Sequence, residues 1–284
     1  MPRPVLARFL SFALLAAFTI AFALPLIWLA LTALKRADQT LPPAPVIPSP
    51  LASVPSDAAA NFSQVLSDPI VDFPLYFRNT LLVTLLSVVG TVLSSAIVAY
   101  GFARIQWRGR GACFALMLAT MMIPFPAIMG PLYVLFKHLG WIGTFKPLWI
   151  PAWFGHAFSI FLLRQFFLAI PRELNDAARI DGCGHLRTFL LVILPISRPA
   201  LTVVALLHFV FVWNDFLGPL IFLTDRDQYT LALGLQLYQS QTGNTPWNLL
   251  MAATLMVVAP VVVVYVFAQR ALIEGIATQG LREA

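Results

Sequence analysis

Residues 76–103 read YFRNTLLVTLLSVVGTVLSSAIVAYGFA, and no charged residue lies between Arg78 and Arg104. A helix of about 20 mostly apolar residues crosses roughly 30 Å of hydrocarbon, so this stretch predicts a transmembrane helix. Five more stretches of the same kind lie along the chain, one before it at 9–34 and four after it at 112–136, 148–168, 201–223 and 249–267. One alone would suit a buried core helix. Six in a chain of 284 residues that is 60% apolar and 11% charged do not, because a soluble domain carries about 25% charged residues for its polar shell. The mean hydropathy of +0.84 points the same way. In lipid the backbone must satisfy its own hydrogen bonds, so the spans are helices; the alternation of a membrane barrel is absent. The expected fold is an all-α membrane protein with six transmembrane helices.

The net charge of +6 by itself suits nucleic acid, but its distribution argues for a membrane and against that partner. With the N-terminus inside, Arg3, Arg8, Arg104, Arg108, Arg110, Arg164, Arg172, Arg179, Arg187, Arg198, Arg270 and Arg282 fall on the cytoplasmic side. Lys35, Arg36, Arg78, Lys137, Lys146 and Arg226 fall on the other, a split of 12 against 6 among the 18 basic residues. Positive loops stay inside, which predicts N-in and, with six spans, C-in. The layout is then a cytoplasmic N-terminus at 1–8, one membrane domain at 9–270 and a cytoplasmic tail at 271–284. The first stretch is too long for a usual signal core and meets Pro25, so it reads as an uncleaved span. Cys113 and Cys183 both fall on the cytoplasmic side, without metal-ligand spacing and in a reducing compartment.

Between the first two spans, residues 36–75 are polar and rich in proline (Leu41-Pro42-Pro43-Ala44-Pro45, then Pro48, Pro50 and Pro55). Proline favours an extended path, and the residues from Asp57 to Phe62, with those after them, suit a short surface helix. This external segment reads as a spacer or as a docking surface for an external solute-binding protein. The third span holds Pro124, Pro126, Gly130 and Pro131. Each proline removes a helix hydrogen bond, so a kink or break is expected, either for packing or to line a pathway.

The most informative connection runs from Pro171 to Pro195, cytoplasmic by the charge rule. Pro171 and the acids Glu173 and Asp176 suit a helix start; Gly182 and Gly184 suit its end. A second amphipathic helix with Phe189, Leu190, Ile193 and Leu194 then leads to Pro195. Ala177 and Ala178 are small enough for another helix or groove to approach closely. The segment predicts a helix–turn–helix platform outside the bilayer, or an interfacial helix resting on lipid.

This segment resembles the EAA loop of bacterial ABC importer permeases. The family pattern of Glu-Ala-Ala, three residues, Gly, and a later Ile-x-Leu-Pro appears as Asp176-Ala177-Ala178-Arg179-Ile180-Asp181-Gly182 and Ile193-Leu194-Pro195. Asp176 stands in for the usual Glu, and Ile193 directly precedes Leu194. The resemblance extends to Asn79-Thr80-Leu81, Ala99-Tyr100-Gly101-Phe102-Ala103-Arg104, Met122-Ile123-Pro124, Pro131-Leu132-Tyr133, Leu163-Arg164-Gln165-Phe166-Phe167, Trp213-Asn214-Asp215-Phe216 and the tail from Glu274 to Gly280. It covers most of the chain from Tyr76 onward and looks like the maltose-permease-like, carbohydrate-uptake branch.

The resemblance implies a multi-pass subunit of the bacterial inner membrane, importing a mono- or oligosaccharide or related polyol. It implies four kinds of partner: a cytoplasmic ABC ATPase dimer, a second permease in a heterodimer, an extracytoplasmic solute-binding protein and the bilayer. It makes Glu173, Asp176, Ala177, Ala178, Arg179, Asp181, Gly182, Leu194 and Pro195 the ATPase-coupling residues of the loop. ATP-driven closure of the ATPases would then switch the permeases between inward- and outward-facing states, which requires two states with different ligand contacts.

A phosphate-binding P-loop needs G-x-x-x-x-G-K-[ST]. The three lysines follow Leu34, Phe136 and Phe145, so none completes that motif. No cofactor is expected on this chain; ATP and Mg²⁺ belong to the partner. Asp215 is the one acid inside a predicted span, beside Trp213 and Asn214, with His208 two turns earlier. An intramembrane carboxylate usually faces a cavity or a partner. These four, with Pro124 and Pro131, are the candidate pathway and gating residues. Asp215 equally suits an interhelical hydrogen bond, and with His208 it suits the proton relay of a secondary carrier. His156 suits a packed position. No metal cluster, paired carboxylates or nucleophile–base set appears, so an embedded enzyme is the remotest class.

Overall fold

The computed structural model describes residues 5–40, 46–239 and 245–280. Arg3, the run from Leu41 to Pro45, and Arg282 lie outside the described residues. Among those described, every regular element is helical. Four segments are long and apolar enough to cross a membrane: Phe9–Ala33, Phe73–Arg104, Lys146–Ala169 and Trp247–Gln269. Two bent helix pairs raise the number to as many as six. The helices group into two compact units, one from the chain up to Pro74 with Gly234–Pro260, the other from Leu75–Leu233 with the chain after Pro260.

In the first unit, α1 (Val5–Ala33) runs unbroken past Pro25. From Phe9 to Trp28 most of its side chains face outward, Phe12 at 72% and Phe22 at 77% exposure, which hydrocarbon tolerates and water does not. The short helix expected from Asp57 onward is present as α2 (Val54–Ser67), which begins three residues earlier and is not wholly superficial, since Asn61 and Val65 are buried. Its buried Asn61 donates from Nδ2 to the carbonyls of Ala33 and Lys35, both at 2.8 Å. It thereby satisfies carbonyls at the end of α1 that have no intrahelical partner. Asn248 of α14 (Trp247–Gly280) donates in turn to Asn61 Oδ1 at 2.8 Å. Beyond Pro260, in the second unit, α14 continues to Gly280, so the described part of the tail from 271 onward is helical.

The second unit is built on α3 (Phe73–Arg104), whose 32 residues span about 48 Å at 1.5 Å each. Thr80, Thr84, Ser87, Thr91 and Ser95 form a buried stripe along it. At its start, Asn79 donates to the carbonyls of Asp227 (2.8 Å) and Tyr229 (3.1 Å), and Thr80 Oγ1 accepts the Leu231 N–H at 2.8 Å. These bonds fasten the loop before α13 (Leu231–Leu235).

The third apolar stretch is broken, as its prolines predict. α4 (Arg110–Thr120) and α5 (Phe125–His138) meet at 98°. Pro124, with extended ψ of 142°, starts α5, while Pro131 lies inside it without ending it. The fourth stretch is not one helix. α6 (Lys146–Trp149) gives way to a 3₁₀ turn at Ile150–Phe154, and Gly155 at φ +95° resets the chain for α7 (Ala157–Ala169). Pro147 and Pro151 each lack a donor for regular helix there. The fifth stretch also departs from 201–223: α11 (Arg198–Trp213) stops at Asn214 and α12 (Leu217–Phe222) begins afresh.

Candidate functional site

The platform between α7 and α11 begins with α8 (Glu173–Ile180), where Glu173 and Asp176 occupy the first turn and Arg179 the last. That order complements the helix dipole at both ends. Asp181 follows the helix, and Gly182 takes φ +79°. Cys183 N–H reaches the Ala178 carbonyl at 2.8 Å and Gly182 N–H the Arg179 carbonyl at 3.0 Å. This is the Schellman pattern, which satisfies carbonyls the helix leaves free. The predicted stop at Gly182 is therefore present. Gly184 is a correction: at φ −73° and ψ 170° it does not end α8 but precedes α9 (His185–Thr188), accepting from Thr188 N–H at 3.0 Å.

The second half is not one regular amphipathic helix either. α9 passes into a π turn at Phe189–Ile193 and then α10 (Leu194–Ile196). Leu194 N–H reaches back to Phe189, and Pro195 has no N–H to offer the preceding turn, so the helix widens ahead of it. Ser197, fully buried, closes the segment by donating from Oγ to the Ile193 carbonyl at 2.7 Å. The chain then turns 77° into α11.

The two halves differ in burial. In α8 only Ala178 is buried; Glu173, Asp176, Ala177, Arg179 and Ile180 are all exposed, Ile180 to 86%. Phe189 and Ile193 belong instead to the core, packed with Ala96, Ala99, Tyr100 and Phe167. The platform thus presents charged, small and apolar side chains outward from a helix whose return limb is held in the protein. Leu194 is half-buried and Pro195 exposed on that limb.

The intramembrane candidates separate into two sets of contacts. Trp213 is buried, stacked on Phe209 at 5.2 Å and edge-on to Phe77 at 5.8 Å. Asn214 donates to the Val210 carbonyl at 2.8 Å, closing α11. Asp215 Oδ1 accepts the Gly218 N–H at 3.1 Å, and a Cβ on Gly218 would sit 2.4 Å from Oδ2. The carboxylate therefore builds the turn into α12. His208 is engaged elsewhere: its Nε2 lies 3.0 Å from Ser87 Oγ and 2.9 Å from Thr91 Oγ1. Its ring centroid is 5.6 Å from that of His156. His156 meets Ser159 Oγ through Nδ1 at 3.2 Å. Pro124 and Pro131 are exposed on α5 and its start, beside Met122 at 84% exposure.

Sequence reading did not single out the hydroxyl stripe on α3. Its signal was the 4-3-4-4 spacing of Thr80, Thr84, Ser87, Thr91 and Ser95, one face of a helix. Among the described residues, no group of three His, Cys, Asp or Glu is placed to hold a metal.

Residues 90–277, well over half the chain and including the whole platform, match the family described as binding-protein-dependent transport system inner membrane component. The chain belongs to that family. This permease is 33% identical over 260 residues to the trehalose/maltose transport system permease protein MalG of Thermococcus litoralis, covering 91% of each chain. It is 35% identical over 207 residues to the arabinooligosaccharides transport system permease protein AraQ of Halalkalibacterium halodurans, with 73% of this chain and 74% of that one covered. It is 31% identical over 241 residues to the sn-glycerol-3-phosphate transport system permease protein UgpE of Rhizobium meliloti, with 83% of each covered. A bacterial ABC transporter involved in the import of the acidic polysaccharide alginate superimposes with a TM-score of 0.81 over 95% of this chain and 99% of that one. At 22% identity that likeness shows the fold. The permease is thus a multi-pass inner-membrane subunit of an ABC importer.

Proposed function

We propose that this permease imports a sugar or related polyol by alternating access, driven by an ATPase dimer that docks on the Pro171–Pro195 platform. Exposed α8 carries this reading: a short helix closed by its own Schellman turn, with Asp176 and Ala177 outward, in a family defined by binding-protein-dependent transport. The substrate class rests on the relatives, whose names specify trehalose/maltose, arabinooligosaccharides and glycerol 3-phosphate. The full assembly then holds a second permease as heterodimer partner, an external solute-binding protein, and ATP with Mg²⁺ in the ATPase subunits. No P-loop occurs in this chain, which supports leaving hydrolysis to that partner. The proposed topology is six spans within 9–270, counting each bent pair as one, with 1–8 and 271–284 in the cytoplasm. Asp215, Asn214, Trp213, His208, Pro124 and Pro131 remain the proposed pathway and gating set.

The test is uptake of labelled sugars into proteoliposomes holding the complete importer. Uptake is expected to require both the binding protein and Mg-ATP, and to survive a protonophore at constant ATP. Uptake without ATP, or its collapse under the protonophore, would overturn the proposal.

A further inference from the structure

Arg104 ends α3, and its Nη2 donates to the carbonyl oxygens of Phe167 and Ile170, each at 2.6 Å. Those carbonyls belong to the last turn of α7 and to the residue that caps it. Intrahelical donors run out there, and the negative end of the helix favours a cation. Ile170 is followed by Pro171, and α8 begins at Glu173. Arg104 therefore grips the root from which the platform leaves the protein.

Four residues earlier on α3, the Tyr100 ring lies 5.0 Å from that of Phe189, the first residue of the π turn on the platform's return limb. Residues four apart share a helix face. One turn of α3 thus holds both roots of the platform, the outgoing one by two charged hydrogen bonds and the returning one by ring packing. The two ties differ mechanically. Ring packing lets one element slide past another, whereas a guanidinium bonded to two carbonyls fixes position and direction. A push on α8 at the outgoing root reaches α3, one of the long spans, through this pair of bonds.

We propose that Arg104 is a positioning residue for energy coupling, transmitting movement of the platform to α3. This inference rests on the platform being the ATPase-docking element, so its test carries a control for that reading. The complete importer is reconstituted with Arg104→Ala, Arg104→Lys or Arg104→Gln, and substrate transported per ATP hydrolysed is measured beside the yield of assembled complex. Arg104→Ala is expected to lower that ratio at least tenfold with assembly retained, and Arg104→Lys, which keeps a cation and N–H donors, to recover much of it. A loss of stability alone would reduce transport and hydrolysis together and leave the ratio unmoved. A ratio within twofold of the parent in assembled Arg104→Ala overturns the inference. If that variant does not assemble, Arg104→Gln gives the reading, and an unchanged ratio there overturns it equally. Ala177→Trp, an exposed change on α8, is the control. Its expected loss of ATPase subunits supports the docking reading; retained docking and coupling would overturn that reading and this inference with it. Uncoupling by Ala177→Trp with normal Arg104→Ala overturns the role of Arg104 alone.

Discussion

Replacing Gly182 by alanine isolates the contribution of one backbone conformation to the platform. Gly182 sits at φ +79°, yet a Cβ built there meets nothing within 4 Å. The penalty is therefore conformational rather than steric, about 1–2 kcal/mol for an L-residue in the left-handed region. That energy falls on the two bonds that close α8, Cys183 to Ala178 and Gly182 to Arg179, and raises the open fraction of the Schellman turn roughly 5- to 30-fold. Hydrogen exchange in the purified importer reads this directly, as faster exchange at the amides of residue 182 and Cys183. ATP-driven uptake should fall with it if an ordered α8 is what the ATPase engages. Gly184→Ala supplies the contrast, because Gly184 has φ −73° and equally open space; exchange and uptake should stay at the parent level. Asn, which tolerates the left-handed region better than Ala, should lie between. Unchanged exchange in Gly182→Ala, or equal effects at 182 and 184, would refute the conformational argument.

Three further substitutions test other joints of the fold. Gly218→Ala puts a Cβ 2.4 Å from Asp215 Oδ2 and 3.2 Å from Leu148 Cδ2, so the carboxylate must leave the Gly218 N–H. A cost of about 1–3 kcal/mol is expected for the unsatisfied group, seen as a lower melting temperature in detergent, whereas Asp215→Asn keeps an acceptor oxygen and should melt close to the parent. Gly90→Ala directs a Cβ to 2.3 Å from Trp153 Cδ1 and should displace the indole from its 3.1 Å bond to the Leu86 carbonyl. A shift in tryptophan emission is expected, and an unshifted spectrum would count against the packing described. Asn61→Ala strips donors from the Ala33 and Lys35 carbonyls at about 1–3 kcal/mol; limited proteolysis should cut the 34–53 segment faster, and an unaltered pattern would refute the capping role.

Much of the site was legible before the structure because its signals are local. The acids of α8, its two alanines and Gly182 mark a helix and its stop within ten residues, and capping depends only on neighbours along the chain. Gly184 misled for the same reason: glycine permits a helix end but does not require one, and Thr188 uses its carbonyl to start another helix. The π turn was hidden because it depends on Pro195 withholding a donor while Phe189 and Ile193 are held in the core. The break after Trp213 was hidden by hydropathy, since Leu217–Phe222 is apolar enough to extend the span across Asn214 and Asp215.

By itself the sequence determined membrane residence, the apolar segments and the platform, because hydropathy sums over contiguous residues and caps act within a turn. Only the tertiary structure decided where the polar residues of those segments spend their hydrogen bonds. His208 suits Asp215 along one helix, yet it turns to Ser87 and Thr91, 121 and 117 positions away. Arg104 reads as one more inside charge until α7 brings Phe167 and Ile170 to it. A buried donor bonds to whichever acceptor packing brings within reach, and hydropathy, summed residue by residue, does not say which faces will meet.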